Sequence, residues 1–245
     1  MITLLGSSGM IGSDFEGNFL RPTKDECNVL NFNSIYDYLY IHNTDAVINC
    51  VGFCGHRDSI EKLKIHELNV QTTRNIALAC DKLSIRLVHF TTSIAGEGST
   101  YTVCKRYADE IVKDYCRDYS LVRIPWMFSK NNDKQFLPVI IDHILNNKKL
   151  ILFNEIGSIS YAIDVAEYVV KNIYTLLNEV EVSNEGIVSR LEWSLEVARL
   201  LGKDLNYEMS FERKLTKQFS SLHGKLRPWK EALKSCLTEK GLIDV

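Results

Sequence analysis

The stretch HFTTSIAGEGSTYTVCK, from His89 to Lys105, sets the hydroxyl residues Thr91, Thr92 and Ser93 at the end of an apolar run, followed by Tyr101 and Lys105. On a helix, side chains at i and i+4 lie on one face. A tyrosine is a weak acid with an ordinary pKa of about 10. A neighbouring ammonium favours its ionised form and lowers that value, so the pair is expected to pass a proton to or from a carbonyl or alcohol oxygen. A tyrosine on a helix also serves as packing, and one Tyr-x-x-x-Lys spacing arises by chance in a chain with 11 tyrosines. The elements that would position the pair therefore decide the reading.

The first of them is an apolar run, Ile2 to Leu5, leading into Gly6-Ser7-Ser8-Gly9-Met10-Ile11-Gly12. Strand, glycine turn, then helix is the order used for phosphate binding, with bare backbone at Gly6, Ser8, Gly9, Met10, Ile11 and Gly12 facing a pyrophosphate. The spacing is G-x-x-G-x-x-G, and a ligand-free turn is the alternative. Asp14 to Phe19 is expected to complete the first helix. A second strand should follow, and FLRP and CNVLNF are the two candidates, the latter placing Asn28 and Val29 on the cofactor side. No acidic residue stands where it would accept from a ribose 2′-hydroxyl. Arg21 and Lys24 are nearby instead, either as partners of a 2′-phosphate, favouring NADP(H) over NAD(H), or as solvated surface charges.

Asn33 is a candidate cap for a helix through His42, and the strand from Asp45 ends in Cys50, Val51 and Gly52, small enough for a cofactor to lie across it. A helix from about Ile60 to Leu83 follows, with Leu63, Leu68, Ile76, Ala77 and Cys80 as its apolar positions. Arg86 to Phe90 is strand, Tyr101 to Asp118 helix, and Leu121 to Ile124 strand. This alternation predicts an α/β fold, a Rossmann-like doubly wound parallel sheet, with Gly6, Gly52 and Thr92 converging at the carboxyl ends of the strands. Beyond Pro125 the rhythm changes: helices over Gln135 to Asn147, Tyr161 to Leu177 and Leu191 to Leu201, and a strand at Leu150 to Phe153. Residues 1–125 are expected to form the dinucleotide-binding domain and 126–245 a smaller C-terminal substrate lobe, with a segment at about 150–180 returning to the first. The last stretch carries Lys214, Lys217, Lys225, Arg227 and Lys230, either an anion-holding tail or an exposed face.

A net charge of -2 and an ordinary composition, 45% hydrophobic and 24% charged, give no reason to expect nucleic acid or an anionic membrane as partner. The seven cysteines show no paired C-x-x-C spacing, so no metal site is expected, and their scatter suits a reducing cytoplasm. The strand-like start leaves no room for a secretory leader, and a soluble cytoplasmic protein is the expectation.

Together these segments resemble the extended short-chain dehydrogenase/reductase superfamily, and within it the dTDP-4-dehydrorhamnose reductase group of nucleotide-sugar 4-ketoreductases. The glycine turn, DAVINCVG, LNVQTTRNIALAC, RLVHFTTS and RIPWMF each resemble a segment of that group. The most specific is IGSISYAIDVAE, similar to its Gly-Ser-Pro-Thr-Tyr-Ala-x-Asp-Leu-Ala run with Ile159 in place of the proline. The resemblance implies a nicotinamide cofactor and a nucleotide-sugar substrate. It aligns Thr92, Tyr101 and Lys105 with the catalytic Ser/Thr, Tyr and Lys, with Tyr101 giving the proton to a sugar C4 oxygen, Thr92 hydrogen-bonding that oxygen, and Lys105 holding ribose hydroxyls. It adds Asn69 to the cofactor contacts and Ser93, Trp126, Tyr161 and Arg227 to the substrate contacts, Trp126 as a sugar-stacking ring or as core. A homodimer is left open. The departures are a short connection between Thr92 and Tyr101, and Ser93 where the group carries an aspartate. Two other functions stay in view: an epimerase/reductase similar to GDP-L-fucose synthase, drawing an acid/base pair from Cys54, His56 and His143, and a cofactor-binding regulatory subunit without turnover.

Overall fold

The computed structural model describes residues 1–54, 59–93, 99–131, 135–211, 217–218 and 226–244, with backbone alone at 59–60 and 217–218. The chain divides into two compact units, Met1–Arg123 with Val169–Val180, and Ile124–Tyr168 with Glu181–Val245.

The first unit is built on strands β1 (Ile2–Leu5), β2 (Ala46–Asn49), β3 (Arg86–Thr92) and β4 (Tyr119–Ile124). Its helices are α1 (Phe32–Ile41), α2 (Ser59–His66), α3 (Thr72–Leu83) and α4 (Thr100–Tyr115). The sheet order is β1-β2-β3-β4 followed by the short strand Glu179–Glu181. β1, β2 and β3 run parallel, with Leu5 beside Asn49 and Asn49 beside His89. Because helices cover such a sheet, its strands are apolar almost throughout: Leu4, Val47, Ile48, Leu87 and Val88 are fully buried. Leu5, Ile35, Leu39, Ile76 and Val112 belong to one cluster, which joins α1, α3 and α4 to the sheet.

Several sequence expectations need correction. The first helix is only a 3-10 turn, Gly12–Asp14. The second strand shrinks to one bridge: Leu20 pairs with Thr3, its N–H donating to Ile2 O at 3.0 Å and its carbonyl accepting from Leu4 N at 2.8 Å. Asn31, rather than Asn33, caps α1, accepting from Asn33 N at 2.9 Å. The long helix is broken by a π-turn, Glu67–Gln71, between α2 and α3. That turn shifts the phase of the apolar face, so Leu63 is exposed while Ile65 and Val70 are buried.

In the second unit, strand β5 (Trp126–Phe128) pairs in parallel with Ile159–Tyr161. Leu150–Phe153 pairs in parallel with Tyr207–Ser210. Helices α5 (Phe136–Leu145), α7 (Arg190–Leu200) and α8 (Trp229–Glu239) belong to it as well, and α6 (Ala162–Asn172) begins in this unit and ends in the first. α7 opens on a capping box in which Ser189 and Glu192 exchange bonds. α8 has no side-chain cap and escaped the sequence reading; its Ala232, Leu233, Cys236 and Leu237 are fully buried.

Candidate active site

The glycine turn is fixed by steric demand. Gly6 has φ +77°, and a side chain there would lie 2.8 Å from Val51 N. A side chain on Gly12 would fall 2.1 Å from Gly6 O, so the third glycine closes the turn upon the first instead of fitting a long helix to a strand. Gly9 N donates to Gly6 O at 3.0 Å. Ser8, Gly9 and Met10 are exposed, while the Ile11 side chain is core, leaving its backbone alone for a ligand. Bare backbone at the end of the first strand, lying against the turn after the second, fits a dinucleotide phosphate cradle.

At the end of β2, a side chain on Gly52 would meet Asn69 Oδ1 at 3.1 Å and Lys105 Nζ at 3.6 Å. Three sequence-predicted residues from three segments thus come together. The π-turn presents Asn69 inward, and its amide clamps backbone: Nδ2 donates to Phe53 O at 2.7 Å and Ile65 O at 2.8 Å, and Oδ1 accepts from Phe53 N at 3.2 Å. Both amide hydrogens are used, which makes Asn69 the holder of the Gly52–Phe53 backbone more than a donor to a cofactor.

Ser99 caps α4, accepting from Thr102 N at 3.1 Å, so the helix begins just before Tyr101. Lys105 is buried, and its Nζ donates to Phe90 O at 2.7 Å. Burial pulls its pKa down to about 8, against the smaller upward effect of Asp109. Tyr101 packs with Phe53 against Ile65, Val70, Cys104 and Ile111. Burial, with Cys54 and Asp109 adding, pushes its pKa up to about 12. The expected lowering by the ammonium does not occur: desolvation sets the direction, and the Lys105 ammonium donates its hydrogen bond to Phe90 O. Thr92 and Ser93 stand half-buried at the end of β3, and Ser93 Oγ is buried without a hydrogen-bond partner among the described residues. Residues 94–98, most of the short connection to α4, lie outside the described residues.

A second layer escaped the sequence reading. Asp109, one turn beyond Lys105, is buried and bonded by Arg123 Nη1 at 2.7 Å, and Arg123 Nη2 reaches Glu179 at 3.0 Å. Burial raises the Asp109 pKa against the lowering by Thr91, Arg123 and Lys105. The signal available was Asp109 standing four residues after Lys105 on the same helix face.

Most of the remaining candidates of the first unit have local partners of their own. Arg21 is exposed, donates to Phe15 O and Gly12 O, and lies over the Phe19 ring at 5.4 Å. Asn28 Oδ1 accepts from Leu30 N at 3.1 Å, and Val29 O accepts from Asn75 Nδ2 at 3.3 Å. Cys50 is half-buried, its thiol pKa raised by burial, and Cys54 is exposed.

In the second unit, Arg190 covers the Trp126 ring at 3.6 Å and pairs with Glu155 at 3.1 Å. Tyr161, expected at substrate, is instead fully buried and stacked on Phe128 at 5.2 Å. Arg227 is held by both oxygens of Asp164, at 2.9 and 2.8 Å, and by Ser235 at 2.8 Å, so its charge is already compensated. His143 bonds Val139 O at 2.8 Å. His56, Lys214 and Lys225, and the side chain of Lys217, lie outside the described residues. Among the described residues there is no cluster of three or more metal-ligating side chains, and no helix is long and apolar enough to cross a membrane.

A parallel sheet, a glycine turn, a hydroxyl-bearing strand end and a helix carrying Tyr101 and Lys105 define a protein of the extended short-chain dehydrogenase/reductase type. The family model described as the RmlD substrate binding domain matches residues 1–241, and the chain belongs to that family. It is 23% identical over 192 residues to the spore coat polysaccharide biosynthesis protein SpsK of Bacillus subtilis (strain 168), covering 71% of this chain and 68% of that one. Its fold is similar to that of dTDP-4-dehydrorhamnose reductase from Bacillus anthracis str. Ames in complex with NADP, at a TM-score of 0.88 and 18% identity, covering 97% and 98% of the two chains. A dTDP-4-dehydrorhamnose reductase from Clostridium acetobutylicum ATCC 824 gives 0.86 and 19%, again over 97% and 98%.

Proposed function

We propose that the chain is an NAD(P)H-dependent oxidoreductase that reduces the C4 ketone of a 4-keto-6-deoxy nucleotide sugar in polysaccharide or deoxysugar synthesis. The observation that carries this reading is the meeting of Gly52, Asn69 and Lys105, the last on the helix that bears Tyr101 and bonded to Phe90 O of the strand that bears Thr92. The bound reduced nicotinamide supplies the hydride. The residues of the chain do the rest. Gly6, Gly9 and Gly12 offer backbone to the pyrophosphate, and Lys105, whose ammonium already serves an oxygen acceptor, binds ribose hydroxyls. Tyr101, with its pKa raised to about 12, holds its proton at neutral pH and is the acid that delivers it to the developing alkoxide. Thr92 hydrogen-bonds the same oxygen as charge develops there. NADP(H) is the favoured cofactor, through the exposed Arg21 and Lys24 after the glycine turn.

Incubation with NADPH and a panel of 4-keto-6-deoxy nucleotide sugars tests the reading. Consumption of NADPH with one of them is expected; tight NADPH binding with no turnover on any would replace it with a regulatory role.

A further inference from the structure

His89 and Asn49 are register partners on β3 and β2, both fully buried, and the mechanism above uses neither. Their bonding is fixed by one unambiguous donor. The backbone N–H of Val51 donates to Asn49 Oδ1 at 3.0 Å, which sets the orientation of the amide. Asn49 Nδ2 therefore faces His89 Nδ1, at 2.9 Å. An amide N–H₂ is a donor only, so Nδ1 must accept, and the ring proton must sit on Nε2. An imidazolium would set two donors against each other. Burial, with Lys105 as a smaller contributor, accordingly holds the His89 pKa well below that of a free imidazole. His89 Nε2 has no hydrogen-bond partner among the described residues, so the bond to Asn49 is what orients the ring there.

The other end of this chain of bonds reaches the glycine turn. Val51 N, held by Asn49, is the atom a side chain on Gly6 would meet at 2.8 Å, and the next residue, Gly52, faces Lys105 and Asn69. The geometry points to His89 as a positioning residue: a neutral, Nε2-protonated imidazole that orients Asn49, which in turn sets the Cys50–Gly52 backbone against the glycine turn that receives the cofactor. The role, though not the tautomer, rests on the reading of this unit as a nicotinamide site.

Two measurements on the full chain test it. In long-range ¹⁵N–¹H spectra of histidine-labelled protein at neutral pH, His89 should show an unprotonated Nδ1 and a protonated Nε2. Asn49→Asp, whose carboxylate can still accept from Val51 but cannot donate to the ring, should move the proton to Nδ1. A His89 proton on Nδ1 in the unmodified chain, or no change in Asn49→Asp, would overturn the assignment. In fluorescence titrations, His89→Phe leaves the buried amide of Asn49 without its acceptor and should bind NADPH about tenfold more weakly. His89→Gln, whose side-chain oxygen can accept from Asn49, should stay within about twofold of the unmodified chain. Undiminished binding by His89→Phe, or equal loss in both variants, refutes the positioning role. Failure of the unmodified chain to bind NADPH would instead defeat the functional reading and the role together, while the tautomer result would stand.

Discussion

Each unit pairs a cation with a buried or half-buried tyrosine, Lys105 buried in the first unit and Arg227 exposed in the second, and their polar groups are satisfied to different degrees. In the second unit Arg227 meets both oxygens of Asp164, Asn184 donates to the same carboxylate at 2.7 Å, and the Tyr161 backbone N–H donates to Asn184 Oδ1 at 2.7 Å. The Arg227 pKa is raised, foremost by its bond to Asp164. In the first unit Lys105 holds one carbonyl, its pKa falls and that of Tyr101 rises, and Ser93 Oγ is buried without a partner among the described residues. A carboxylate that closes on a guanidinium and an amide serves stability. Ionisable groups displaced from their ordinary values by desolvation mark the first unit's cluster as the candidate for chemistry.

The largest effect is expected at Tyr101. Tyr101→Phe should lower turnover by about a hundred- to ten-thousand-fold while leaving NADPH affinity nearly unchanged, as steady-state kinetics and titration would show. Unchanged turnover would remove the chemical distinction between the units. In the second unit the effects should appear in stability instead: Tyr161→Ala, which empties a fully buried aromatic site, should cost about 3–5 kcal/mol in denaturant unfolding. Asp164→Asn should cost about 2 kcal/mol, discounted because the Arg227 side chain is 37% exposed. A pH series sharpens the contrast further. Protonated Lys105 is fully present below a pKa of about 8, so kcat/KM should fall as pH rises through that value, with no matching limb from Tyr101 until about 12. The linkage sign for folding is the reverse. An unfolded lysine, with a pKa of about 10.5 against about 8 when folded, binds more protons between those values, so the Lys105 contribution to stability rises with pH across that window. The smallest effect is expected at Arg21, where loss of the guanidinium in Arg21→Ala should weaken NADPH about fivefold more than NADH in parallel titrations.

Much of the first unit was legible because its signals are local. Apolar runs ending in small residues became β1, β2 and β3, and the three glycines stand where backbone must approach backbone. Tyr101 and Lys105 share a helix as their spacing required. The direction of the Tyr101 shift was not legible, since it depends on Phe53, Ile65 and Val70, which reach it from other elements. Nor was the π-turn, which leaves no compositional mark and moved Leu63 to the surface. α8 lacks a side-chain cap, and the bonds of Asn184 and Asp164 to Tyr161 and Arg227 and the stacking of Phe128 join residues too far apart in sequence to be foreseen.

The π-turn also makes the helical rod from Ser59 to Leu83 sensitive to length in a way a regular helix is not. It accommodates one surplus residue, so an in-frame deletion of a single codon within 67–71 could restore unbroken α-helical winding. Each residue advances a helix by about 100°. The widened turn already absorbs that advance, so the segments on either side would keep their phase while the turn that presents Asn69 inward closes and carries its amide away from Phe53. In this family member the count of residues between Ile65 and Thr72 is as much a part of the site as any side chain in it.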